Sequence, residues 1–382
     1  MRNLRTLLVA TIFFSLLAPQ AVQATGINKT SCKSKGSIRI FEKKKYLCTK
    51  SGKKLIWIQT KSKPKVPPSN SEEVQQPEII TPYTPWADPI NPLQISIEAK
   101  DKFREWLKIQ DTKSDNLLVS IDPKIDKKKV QYLVDVVKLA SETLLGPKSS
   151  KPRLYISAGD EWVIEQVKID YPIHKGFTAP NICYAPNPFA GCAWSEYGMM
   201  FFVSKSLSNW DSQDKGVLAA GAHEFFHLAQ GELSRNQENK IPHKVLGQLP
   251  SWFLEGSASF MGTAYADYSE MINWETIRRD EISAYQDGRG RNEPISTFTR
   301  NELDRPQPEA QSHRPYGIGF LACELIVASV GIESFLDIYR KLGLGQSFEM
   351  AFKESTGIEL QDFYNKFDSM RTKIGFFPVI NN

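Results

Sequence analysis

Histidine is scarce in this chain, with five among 382 residues. Cysteine is equally scarce, and no C-x-x-C spacing occurs, which argues against a cysteine-rich metal site. Beyond the N-terminus no run reads as long and apolar enough to span a membrane. No internal repeat is visible. Disorder throughout is excluded by 41% hydrophobic and 24% charged residues. The length leaves room for one large domain or two ordinary ones with a well-buried core.

The N-terminus is the exception to the lack of apolar runs. MRNLR is basic, TLLVATIFFSLLA is apolar, and AVQA places Val22 and Ala24 at the spacing of a cleavage site. Residues 1–24 therefore read as a signal peptide cleaved after Ala24, because an apolar run of about 13 residues is short of the roughly 20 a span needs. No cysteine follows the cleavage region, so no lipid anchor is indicated there. The expected destination is outside the cell. Cysteine usage agrees with export: Cys32 lies near Cys48 and Cys183 near Cys192, so two disulfides are expected. Cys323, in FLACELIVASV, is left over as a buried free thiol.

Charge is unevenly spread. Residues 27–65 carry a net +12, whereas residues 66–382 sum to −9. Within the basic head, residues 27–60 alternate apolar and polar positions around the turn signal KSGKK, the pattern of a small β module. So short a module builds little core, and a Cys32–Cys48 bridge would compensate. Its lysines suit an anionic cell-surface polymer. Residues 61–95 are rich in Pro, Ser and charge and read as a linker. Residues 96–376 form the body. Helical spacing is clear in KKKVQYLVDVVKLASETLLG, and RLYISAG and GMMFFVS read as strands. After them come mainly helical segments. This order suggests one α+β domain of two lobes.

Two of the five histidines, His223 and His227, stand four apart in AAGAHEFFHLAQG, with Glu224 between them. On a helix that spacing puts both imidazoles on one face, where they can reach one zinc ion. Glu224, one residue on, cannot share the same rung but can reach a water on the ion. The flanking residues are apolar, so the three ionisable groups would be partly buried and would need partners. A catalytic zinc normally takes three protein ligands. The continuation H-x-x-G-x-x-H fails, because Gln230 stands for Gly and Leu233 for His. Glu232 and Glu238 lie in a polar stretch on or just past the same helix. Glu255, in PSWFLEGSASF, is a lone acidic residue on an apolar helix. The small residues Gly256, Ser257, Ala258 and Ser259 that follow it would allow a close helix approach.

HEFFHLAQ followed by PSWFLEGSASF resembles the gluzincin branch of zinc metallopeptidases, and W-F-x-E-G-x-A is similar to the bacterial peptidase-MA-like families. The likeness covers roughly residues 120–370. It implies a zincin-like two-lobed domain, a zinc ion on His223, His227 and Glu255, and hydrolysis of a peptide or protein substrate with Glu224 as general base. It also implies an oxyanion donor, for which Tyr316 is the first candidate and His313 the second. By the same likeness, GMMFFVS would be the sheet edge above the site, where an extended substrate could add as a strand. The loop CYAPNPFAGC would shape the cleft. One departure stands out. Some gluzincins carry an acidic residue four positions after the ligand Glu, orienting a zinc histidine, and here that position is Ser259. Asp267 is a candidate substitute. A catalytically silent zincin scaffold that binds a surface through its basic head is the alternative reading. Nucleic acid is not indicated as a partner, and His174 and His243 read as solvated.

Overall fold

A computed structural model describes residues 31, 38–41, 44–59, 86, 92–110, 117–145, 151–172, 189–204, 215–235, 245–279, 294–298 and 314–373. The expected signal peptide, most of the linker, and Cys32, Cys183, His174, Glu238, His243 and His313 lie outside these residues. The chain divides into two compact units, with the boundary between Ile79 and Ile80.

The first unit contains a three-stranded antiparallel sheet. Its strands β1 (Ile38–Phe41), β2 (Lys44–Ser51) and β3 (Lys54–Gln59) follow one another as a meander. Ser51 pairs with Lys54 across a two-residue turn. Gly52 opens that turn with a φ of +62°, which a glycine adopts without steric cost. Cys48 is buried opposite Trp57 and is disulfide-bonded.

The second unit mixes helix and sheet. In chain order, α1 (Pro92–Lys108) precedes β4 (Leu118–Ile121), α2 (Lys127–Leu144), β5 (Arg153–Ser157) and α3 (Asp160–Asp170). Then come β6 (Phe189–Trp194), β7 (Met199–Ser204), α4 (Lys215–Leu233) and α5 (Ser251–Tyr268). The described residues end in α6 (Arg314–Gly343), α7 (Phe348–Thr356) and α8 (Leu360–Lys373). Helix α1 starts inside the stretch read as linker, and its Ile95 is fully buried. The segment ISIEAKDKFREWLK, ambiguous by pattern, is therefore helix.

The sheet order is β4-β5-β7-β6, with β6 antiparallel to β7 and the other pairs parallel. This corrects the expectation for GMMFFVS. That segment is β7, an inner strand, and the edge beside it is β6. The reason is burial on both faces. Met200 and Phe202 join the main core, whereas Met199, Phe201 and Val203 pack with Tyr155 against Val163 and Val167 of α3. A continuous apolar run of this kind belongs inside a sheet, and an edge strand carries smaller and more polar residues.

Helix α5 runs through the centre, with every residue from Ser251 to Asp267 buried. It touches α4 on one side and α6 on the other. Gly256 and Gly319 let α5 and α6 meet backbone to backbone, since a Cβ on Gly319 would run into the carbonyl of Trp252. At Gly262 a Cβ would lie 3.0 Å from the Cβ of His223, so this glycine sets the approach of α5 to α4. Small residues do bring the helices together, as the sequence suggests. Ser257 and Ser259 reach the histidine helix through their hydroxyls and Gly262 through its backbone, while Gly256 serves α6.

Helix α6 corrects the reading that no internal stretch could span a membrane. Pro315–Gly343 is long and apolar enough by length and composition. Of its most apolar stretch, 78% is buried inside the fold, as in a core helix. It is also interrupted at Gly331, whose φ of 81° and ψ of 172° are not helical. Cys323 on this helix is a free and fully buried thiol.

Candidate metal centre

Helix α4 supplies His223, Glu224 and His227, and α5 supplies Glu255. The i, i+4 spacing brings the two imidazoles together as expected, with Nε2 atoms 3.2 Å apart. Glu255 Oε2 lies 3.5 Å from His223 Nε2 and 3.2 Å from His227 Nε2. These three atoms form a nearly equilateral triangle. A tetrahedral ion with bonds of about 2.0–2.1 Å has ligand–ligand edges of about 3.3–3.4 Å, so the donor set fits a metal. All three side chains are largely buried. His223, His227 and Glu255 are thus a triad able to hold a metal ion.

Electrostatics argue for a cation here. Burial acts to lower the His227 pKa, but Glu255, with help from Glu224 and Gln230, reverses this and pushes it up to about 9. Burial acts to raise the Glu255 carboxyl, yet the two histidines hold it well below the usual carboxylate range. Burial raises Glu224, the histidines oppose that shift, and Glu255 adds to it. The cluster therefore attracts positive charge, and a metal ion can take the place of the proton.

The cleft over these groups has a volume of ≈ 350 Å³. Edge strand β6 forms one wall with Gly191, Cys192 and Ala193, followed by Ser195. Leu246, Gly247 and Leu254 line it as well. Cys192 is disulfide-bonded. Phe189–Cys192, read from sequence as the end of the loop CYAPNPFAGC, is part of strand β6, and it lines the cleft through Gly191 and Cys192. Gly191 lets β6 lie close over Glu224: a Cβ there would sit 2.7 Å from the ring of Phe202 and 3.3 Å from Glu224 Cγ.

Tyr316, near the start of α6, also lines the cleft, and its ring stacks on that of His223 with centroids 5.7 Å apart. The position chosen from sequence is therefore beside the site. His313 lies outside the described residues. Ser259 reaches His223, with Oγ 3.4 Å from Nδ1, a weak contact compared with a carboxylate. Asp267 does not replace it. Its carboxylate is 2.7 Å from Arg104 Nη2 and accepts from the Trp274 backbone N–H at 3.0 Å, so it anchors α1 to α5 far from the triad. Glu232 likewise pairs with Arg235 and stays out of the site.

Sequence reasoning missed Gln230. Fully buried, it places Oε1 2.8 Å from His227 Nδ1. Its position three residues after His227, on the same helix face, was the available signal. No model of a known family matches this chain, and no curated protein does.

Proposed function

We propose that the second unit is an exported zinc metallopeptidase of the gluzincin kind, with a zincin-like two-lobed fold. The observation that carries the reading is the triangle of His223, His227 and Glu255 with Glu224 beside it in an open cleft. Three protein ligands leave a coordination position free, as catalytic sites do and closed structural sites do not.

Zinc held there would acidify a water molecule and polarise a carbonyl oxygen. Glu224 accepts the proton of the attacking water and delivers it to the departing amine. The Tyr316 phenol donates a hydrogen bond to the oxygen that gains charge. Strand β6 offers a sheet edge to an extended peptide. The basic first unit holds the enzyme at an anionic cell-surface polymer.

Digestion of a peptide library by the full chain tests the reading. Cleavage should require zinc and stop with a chelator. Tyr316→Phe should lower kcat by about 10²–10³-fold with little change in KM, because the bond forms only as charge develops. Cleavage that survives chelation would refute the proposal.

A further inference from the structure

We infer that Gln230 is a positioning residue that fixes His227 as a metal ligand, through a hydrogen-bond chain anchored on the backbone next to Glu255. The inference rests on the metal reading of the triad. The Gln230 side-chain amide has one accepting and one donating end, and its surroundings decide which way it faces. Nε2 lies 2.8 Å from the carbonyl oxygen of Leu254 and 2.8 Å from Ser257 Oγ. A carbonyl oxygen can only accept, so the NH₂ group must face it. The reversed amide would set two oxygens 2.8 Å apart with no proton between them.

Oε1 is then committed to His227. Because this oxygen can only accept, Nδ1 must carry the proton. In the neutral ring the lone pair is thereby left on Nε2, the atom that faces His223 and Glu255, and when the ring is protonated it is the Nε2 proton that a metal ion displaces. The Nδ1 proton and the ring orientation of His227 are thus fixed before any ion arrives. Tyr339 closes the chain from α6, with its hydroxyl 2.7 Å from Ser257 Oγ and 3.2 Å from Gln230 Nε2. Leu254 immediately precedes Glu255, so one stretch of α5 backbone carries the third ligand and orients the second. Gln230 therefore also locks the register of α4 against α5. Among the described residues His223, held by Ser259 at 3.4 Å, has no comparable anchor.

Zinc affinity of the full chain, measured by competition with a chromophoric chelator, tests this. Gln230→Met preserves volume but removes the acceptor, and zinc should bind about 10–100-fold more weakly. Ser257→Ala leaves the amide its Leu254 and Tyr339 partners, and affinity should stay within about threefold of wild type. A folded Gln230→Met protein with wild-type zinc affinity would overturn the inference. A second readout needs no variant. In ¹⁵N-edited spectra of the wild type, the His227 Nδ1 proton should exchange with water more slowly than that of His223, with or without zinc. Equally fast exchange would overturn the inference. A wild type that binds no zinc but keeps this protected proton would refute the metal reading and leave the role of Gln230 intact.

Discussion

Glu224→Gln lowers kcat/KM for peptide cleavage by about 10²–10⁴-fold and leaves zinc bound. Glu224 is not among the three ligand atoms that lie together, so its loss leaves the triad untouched. Glutamine has the same length and volume and fits under Gly191, where the stem of Glu224 already packs. What disappears is the proton acceptor beside the attacking water. Zinc content and turnover should be measured on the same preparation. A variant that cleaves as fast as the wild type would remove Glu224 from the mechanism.

Gly319→Ala destabilises the protein by about 3–5 kcal/mol, near the upper end for single substitutions. The added methyl would meet the carbonyl of Trp252 and lie 2.7 Å from the Cα of Gly256. Both obstacles are helix backbone, which cannot rotate away as a side chain can. Helices α5 and α6 must separate, and Glu255 sits on α5 one residue from the contact. Zinc affinity should therefore fall together with the urea midpoint. An unchanged midpoint would show that the two helices do not meet at these glycines.

The triad was legible because each of its residues stands out locally. His223 and His227 share a face by the geometry of one helix. Glu255 is conspicuous as a carboxylate in an apolar run. The surroundings were less legible because they depend on which elements meet. Gln230 shares the helix face of His227, but only the packing of α4, α5 and α6 joins it and Ser257 to Tyr339. Asp267 could be named but not placed, since its partner Arg104 lies more than 160 residues away on α1. In the sheet, β4 was overlooked: LVSI is four residues long and its first two are exposed, so it carries little pattern. The inner position of β7 was readable, because MMFFV lacks the alternation of a strand with one wet face. The closeness of β6 to Glu224 was not readable, since a strand's neighbours follow from topology.

The most direct measurement of the central claim is the metal content of the purified full chain by elemental analysis, with Glu255→Ala alongside. The account predicts about one zinc per wild-type chain and a folded variant that loses it on dialysis. A wild-type chain that stays metal-free after incubation with zinc, or a Glu255→Ala variant that holds zinc as tightly as the wild type, would contradict it.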